Sequence, residues 1–328
     1  MTHAVRVHEH GGPEVLRWEA VDIGAPAPDD VRIRHTAIGL NYIDVYHRTG
    51  LYTVPQLPCA IGMEGAGTIE AVGANVTGIA EGDRVAYASP PIGAYAQARL
   101  MPADRVVKLP DAIGEQQAAG MMLKGMTAEY LIRRLYMVKP GDTVLFHAIS
   151  GGVGQIACQW LKALGATVIG TVGSDAKAET ARAHGCDYPI NYRTEDFVAR
   201  VREITNGEGV AVVYDGVGKA TYMGSLDCLR RRGTLALFGN ASGAVDALDT
   251  GLLAQKGSLF LTRPTLMGYT ATRRELLESA NALFDVVING QVRVDINQTY
   301  SLRDAAQAHR DLESRATTGS TVLLPDAS

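Results

Sequence analysis

The residues from Thr143 to Lys177 have the types and spacing of a phosphate seat. Thr143 to Ala148 reads as a buried strand, Ile149-Ser150-Gly151-Gly152-Val153-Gly154 as a glycine loop, Gln155 to about Leu164 as an apolar helix, and Thr167 to Val172 as a second strand. Strand, glycine turn, helix and strand within about 30 residues make the βαβ unit that binds a dinucleotide. Gly151 lets the backbone approach a pyrophosphate, and Gly154 lets the helix pack close to the strand before it. A helix beginning near Gln155 points N–H groups and partial positive charge at the phosphates. Ile149 stands where G-x-G-x-x-G has its first glycine, a position that only shapes the turn, so the seat survives. The competing reading of the loop is a plain tight βα turn.

The end of the second strand decides which dinucleotide. NAD asks for an acid there to hold its ribose hydroxyls. This strand ends Thr171-Val172-Gly173-Ser174, with no carboxylate at its tip. Asp175 comes slightly late, Lys177 follows, and small hydroxyl-bearing residues flank them, which suits a dianionic 2′-phosphate. The pattern favours NADPH, with Lys177 as an ordinary solvated first-turn lysine the alternative.

These elements must sit within a larger frame, and 328 residues suggest two domains. Hydrophobic content of 46% and a mean hydropathy of +0.01 describe a soluble globular chain with ample core. A net charge of -4 and a pI near 6.1, without basic stripe or acidic tail, argue against nucleic acid and membrane surfaces as partners. The N-terminal residues lack the apolar core of a signal peptide, and no run approaches the roughly 20 apolar residues of a membrane span. Cys59, Cys158, Cys186 and Cys228 lie far apart, which argues against a disulfide framework or a cysteine-rich zinc lobe. Four reduced, mostly buried thiols suit a cytoplasmic protein.

In chain order, residues 1 to about 125 read mainly as a compact β barrel. Its strands are expected at Ala4–His8, Val31–Asn41, Gly62–Gly73 and Glu81–Tyr87, with a short helix from Asn41 to Arg48 stopped by Gly50. The period turns helical at 115 to 135, around Lys124-Gly125-Met126-Thr127, so the domain switch belongs there. From 143 to 262 strands and helices alternate as in a doubly wound parallel sheet. Val210–Tyr214 and Thr234–Phe238 are buried strands whose carboxyl ends, at Asp215 and Gly239-Asn240, are where ligands collect. Ser258–Thr262 is a further strand whose exposed edge invites pairing with a second copy, a homodimer. Beyond 270 come a helix Arg273–Ile288, strands around Val292 and Tyr300, a helix Leu302–Ser314 and a last strand Thr321–Leu324, returning to the first domain.

Together these residues resemble the medium-chain dehydrogenase/reductase superfamily, and within it the zinc-free quinone oxidoreductases related to ζ-crystallin. The resemblance covers essentially the whole chain. It is carried by His10-Gly11-Gly12-Pro13-Glu14-Val15-Leu16, Gly39-Leu40-Asn41-Tyr42-Ile43-Asp44, Gly62-Met63-Glu64-Gly65-Ala66-Gly67, Ser150-Gly151-Gly152-Val153-Gly154 and Phe238-Gly239-Asn240, in that order. It implies an α/β fold with a doubly wound parallel Rossmann sheet at 126–265 and a mainly β, GroES-like catalytic domain at 1–125, completed by 266–328. Zinc alcohol dehydrogenases of the superfamily carry a cysteine and a histidine where this chain has Asn41 and Met63. A catalytic zinc would lack two of its three protein ligands here. Ala88 to Asp104 contains no cysteine either, so the structural zinc lobe is missing and no metal is expected.

The resemblance also implies the site. Asn41, Tyr46 and Tyr52 would surround a quinone in the interdomain cleft, with the tyrosines as packing or surface residues the alternative. Free tyrosine has a pKa near 10 and is a weak acid, so water is the alternative proton source for the product. Glu64 would be a buried carboxylate bonded to backbone or to a base. NADPH would meet Asn41, Tyr130, Gly151, Gly152, Val153, Gly173, Ser174, Lys177, Tyr192, Phe238, Gly239, Asn240 and Arg315, with Lys177 and Tyr192 at the 2′-phosphate. Lys124 and Thr127 would lie near the nicotinamide half. Arg263 and Arg315 would close over the cofactor or remain solvated. Reduction of a quinone by NADPH is the leading function. Reduction of an alkenal C=C bond, or a non-catalytic crystallin-like or RNA-binding role, are the alternatives.

Overall fold

The computed structural model describes residues 2–325. Its first half runs β1 Thr2–Val7, β2 Leu16–Val21, β3 Asp30–Leu40, α1 Tyr42–Thr49, β4 Cys59–Ala60, β5 Glu64–Val72, β6 Arg84–Ala88, β7 Ala98–Pro102, β8 Val107–Lys108 and α2 Glu115–Glu129. Next come β9 Thr143–Phe146, α3 Gly152–Ala163, β10 Thr167–Val172, α4 Asp175–Ala183, β11 Tyr188–Asn191, α5 Phe197–Ile204, β12 Val210–Asp215, α6 Tyr222–Cys228 and β13 Leu229–Leu237. The chain ends with α7 Gly251–Gln255, β14 Phe260–Thr262, α8 Leu266–Tyr269, α9 Arg273–Ile288, β15 Ile296–Ser301, α10 Ala305–Glu313 and β16 Ser320–Leu324.

Two compact units result. The first takes the chain up to Met126 with Thr270–Ile288 and the residues from Val294 on, and the second takes Thr127–Tyr269 with Asn289–Arg293. In the first, β3 pairs with β5, β7 and β16, all antiparallel, in a seven-stranded sheet, and the three-stranded sheet β2-β1-β4 adds Val5 and Val7 to the same apolar core. Alternation along the strands aims Val31, Ile33 and Ile38 of β3, Ile69 of β5, Val85 of β6 and Met101 of β7 inward. Bulges in β3 at Arg32/Ile33 and His35/Ala37 bend it, a common way to turn a barrel corner.

The second unit has a six-stranded sheet ordered β11-β10-β9-β12-β13-β14, with every pairing parallel. That is the doubly wound order, whose reversal lies between β9 and β12. β12 is buried along its whole length, as a strand covered on both faces must be.

Several boundaries differ from the sequence reading. α3 begins at Gly152, not near Gln155, because Gly151 takes the extended N-cap conformation and the helix starts within the glycines themselves. Val292 is buried but lies in no strand. Apolar character there reflects burial of a connection, not sheet pairing. β13 starts five residues earlier than expected, at Leu229, and β14 is the shorter Phe260–Thr262. The chain after α2 makes a π-helical stretch at Tyr130–Leu135, a form that period-counting does not reveal.

A polar chain crosses the core of the first unit. Arg48, 1% exposed, donates to both carboxylate oxygens of Glu313 at 2.9 Å and pairs with Nδ1 of His309 at 3.0 Å. Nε2 of His309 lies 2.9 Å from the Tyr95 hydroxyl, which donates to Oδ2 of Asp44 at 3.1 Å. The Asn41 backbone N–H donates to the same oxygen at 3.0 Å, so the chain ends at the start of α1. Burial holds His309 near a pKa of about 3 and pushes Asp44 up to about 7, although its hydrogen bonds and the Lys124 charge act the other way. Folded Asp44 therefore keeps its proton to higher pH than the unfolded chain does. Its contribution to stability is greatest below about pH 4, declines as pH rises to about 7, and is constant above that. Asp44→Asn removes this dependence, so the variant should gain a few kcal/mol relative to the parent between pH 5 and pH 8. Urea unfolding of both proteins across that range measures it, and parallel pH profiles would contradict it.

Candidate cofactor and active site

The glycine loop leaves β9 at Phe146 and enters α3 at Gly152. The left-handed residue of the turn is Ala148, with φ of 53°. Ile149, 1% exposed, instead packs over Gly170 of β10, where a Cβ would come 2.5 Å from its Cγ2. A side chain at the first position of the motif is thus accommodated by a glycine on the neighbouring strand. A Cβ on Gly154 would lie 2.5 and 2.6 Å from the carbonyl oxygens of Ile149 and Ala148, so only glycine lets α3 approach β9 this closely. A Cβ on Gly151 would meet only the Ala148 carbonyl, at 3.2 Å, and otherwise open space. This is the cradle a pyrophosphate needs at a helix N-terminus.

Polar side chains at three strand tips hold that loop. Thr171 Oγ1 accepts from the Ala148 N–H at 3.2 Å and lies 2.9 Å from Nδ1 of His147. Nε2 of His147 lies 3.0 Å from Ser225 Oγ, which donates to Asp215 at 2.8 Å. Asp215 also accepts from the N–H groups of Val217 and Gly218 at 2.8 and 3.0 Å. The trio has the residue types of a nucleophilic triad but not its order, since the acid bonds the serine and the backbone while the imidazole turns to Thr171. Burial lowers the His147 pKa, and His147, Ser225 and Asp215 are all buried, so they brace the loop. Sequence reading passed over His147 and Thr171, although polar residues ending apolar strand runs were a usable signal.

At the tip of β10, Gly173 lies under Tyr192, whose hydroxyl would be 2.7 Å from a Cβ there. Ser174 caps α4 by accepting from the Lys177 N–H at 3.3 Å. Gly173 and the Tyr192 hydroxyl thus lie together at this tip, and Ser174 meets the Lys177 backbone. At the ends of β12 and β13, the Phe238 ring lies 5.8 Å from that of Phe146, and Gly239 stacks tightly on the Gly216 backbone. With its amide oriented to satisfy both atoms, Asn240 accepts from Arg263 at 3.2 Å and donates to the Gly239 carbonyl at 3.0 Å. Arg263 is within electrostatic reach of Tyr130, opposing the burial that raises that phenol, and Tyr130 stacks on Tyr269 at 4.5 Å. Thr127, buried, sits one turn before Tyr130.

The first unit gathers the remaining residues. Glu64 is fully buried and accepts from the Asn41 side-chain amide at 2.7 Å, the Leu123 N–H at 2.8 Å and the Lys124 ammonium at 3.3 Å. Both expected kinds of partner, backbone and base, are present. The Asn41 amide also donates to the Gly39 carbonyl at 3.4 Å, and Asn41 and Asp44 form a capping box at the start of α1. Tyr46 and Tyr52 meet edge to face at 5.0 Å, with Tyr42 and His47 completing an aromatic cluster on α1. Tyr42 and His47 were not anticipated. Arg315, in the left-handed region at φ of 62°, lies within electrostatic reach of Tyr42. Among the described residues, no group of three or more His, Cys, Asp or Glu is placed to hold a metal ion.

Two family models match, "Alcohol dehydrogenase GroES-like domain" over residues 27–111 and "Zinc-binding dehydrogenase" over residues 152–286. The quinone oxidoreductase of Pseudomonas aeruginosa is 50% identical over 99% of this chain and 100% of its own. The 2-haloacrylate reductase of a Burkholderia species is 48% identical over the full length of both. The Escherichia coli quinone oxidoreductase complexed with NADPH superposes with a TM-score of 0.97 at 50% identity, over 98% of this chain and 100% of that one. The chain belongs to the quinone oxidoreductase family of the medium-chain dehydrogenase/reductase superfamily.

Proposed function

We propose that this protein uses NADPH to reduce quinones without a metal. The observation that carries the reading is that one chain holds a complete dinucleotide seat and, at Asn41 and Met63, side chains that do not ligate zinc. The names of the relatives, and the solved complex of one of them with NADPH, support it. Gly151, Gly152 and Val153 offer backbone to the pyrophosphate, and Lys177, Tyr192 and Ser174 meet the 2′-phosphate. Phe238, Gly239, Asn240, Arg263, Tyr130 and Thr127 border the nicotinamide half. Bound there, NADPH supplies the reducing equivalents.

The first unit is the catalytic one in this proposal. Asn41 lies beside the ribose of the cofactor, and Arg315 adds a cation. Lys124, held by Glu64, keeps ammonium hydrogens for the cofactor or for an oxygen that gains negative charge. Tyr46 and Tyr52 offer an aromatic edge and hydroxyl groups to a flat acceptor. The four cysteines form no disulfide, which suits a reducing, cytoplasmic compartment. No described helix is long and apolar enough to cross a membrane.

The 48% identical 2-haloacrylate reductase gives C=C reduction specific support as a second reading. Initial rates with NADPH and either 1,4-benzoquinone or 2-chloroacrylate separate the two. Saturable NADPH oxidation with the quinone, at least about tenfold faster than with the haloacrylate, is expected. The reverse ranking would transfer the protein to the C=C reductases. The short edge strand β14, with Phe260 60% exposed, supports the further proposal of a homodimer paired through residues 258–262. Phe260→Asp should then sediment as a monomer while the parent sediments as a dimer, and a monomeric parent would contradict the pairing.

A further inference from the structure

We propose that Asn191 determines cofactor choice by holding the Asp175 carboxylate away from the ribose, an inference that rests on the NADPH reading above. β10 and β11 run side by side, with Val172 opposite Asn191 at their carboxyl ends. Three residues after Val172, Asp175 opens α4. The Asn191 side-chain amide donates to Oδ1 of Asp175 at 2.8 Å, across the strand tips.

Asn191 is well fixed for this task. It is 8% exposed, its side-chain oxygen accepts from the Arg193 N–H at 3.2 Å, and its own N–H donates to Glu195 at 3.1 Å. Its carbonyl accepts from the N–H groups of Thr194 and Glu195 at 3.0 and 2.9 Å. The amide nitrogen is therefore aimed from a rigid turn, while Asp175 is exposed and would otherwise sample several rotamers.

The chemistry explains why that matters. An acid at the tip of the second strand is the group that takes the ribose diol of NAD, and the same charge repels a 2′-phosphate. This chain carries such an acid a few residues late, in the helix that bears Lys177. Turned toward β11, the carboxylate spends its hydrogen bonding on Asn191, leaving Lys177, Ser174 and Tyr192 to form a positive and hydroxyl-rich pocket. Released, it could rotate to the ribose and weaken phosphate binding. Asn191 is a specificity-determining residue that acts through Asp175.

A double-mutant cycle tests this with adenosine 2′,5′-bisphosphate and 5′-AMP as probes, titrated into the full-length protein. The readout is the ratio of the two dissociation constants, which a merely structural role would not move selectively. Parent protein should bind the bisphosphate much more tightly. Asn191→Ala should shrink that preference by about tenfold, the size expected of one exposed charge close to a dianionic phosphate. Asp175→Ala should leave the preference at or above the parent value, and adding Asn191→Ala to it should change nothing further. Parent protein without the preference would overturn the NADPH reading itself. A clear parental preference that Asn191→Ala reduces equally with and without Asp175, or leaves untouched, would overturn the role of Asn191 alone.

Discussion

The first unit depends on one buried charge. Glu64 has no contact with solvent, and an ionised carboxylate in such a place is tolerable only when its lone pairs are filled. The Asn41 amide, the Leu123 N–H and the Lys124 ammonium fill them. Each donor brings a segment with it: Asn41 the start of α1, Leu123 and Lys124 the middle of α2. Space for the carboxylate comes from β3, where a side chain on Gly39 would overlap both Glu64 and the Ala119 carbonyl oxygen. The glycine, the asparagine, the glutamate and the lysine are therefore a single requirement spread over some 85 positions of sequence. Removing Lys124 or Asn41 would strand the charge, so these residues fix the local geometry.

The second unit solves a different problem, exposing backbone N–H groups at the carboxyl end of the sheet without losing the loop that carries them. Gly154 gives the close approach, and the Thr171, His147, Ser225 and Asp215 chain supplies the bracing. Bracing from strand tips means that loop position follows sheet register, so the phosphate seat inherits the rigidity of the parallel sheet. In the proposed reading, the tip of β10 offers Lys177, Ser174 and Tyr192 to a 2′-phosphate. On the proposal above, reading cofactor preference from the strand tip concerns where one carboxylate is allowed to point, as much as which residues are present.

Much of this was legible in the sequence, because the chemistry of dinucleotide binding is local. A βαβ unit, its glycines and the missing acid lie within 35 residues, and the order of strands and helices follows from alternation of period. What stayed hidden is long-range or depends on conformation. The Asn41 to Glu64 bond spans 23 residues, and the chain from Glu313 to Asp44 through His309 joins the two ends of the sequence. Neither leaves a periodic trace. Helix α3 starting inside the glycines was missed because glycine looks like loop, although at an N-cap its extended conformation serves a helix equally well. Val292 shows the opposite error, an apolar connection mistaken for a strand.

The central claim is that reducing equivalents pass from NADPH to a quinone with Asn41, Lys124 and the tyrosines in the place of a metal centre. The most direct measurement is the initial rate of NADPH oxidation with 1,4-benzoquinone by protein dialysed against a strong chelator, with NADH in a parallel reaction. The account predicts an undiminished, saturable rate with NADPH and a far slower one with NADH. A rate that vanishes on dialysis and returns with added zinc, or that is equal for the two cofactors, would contradict it.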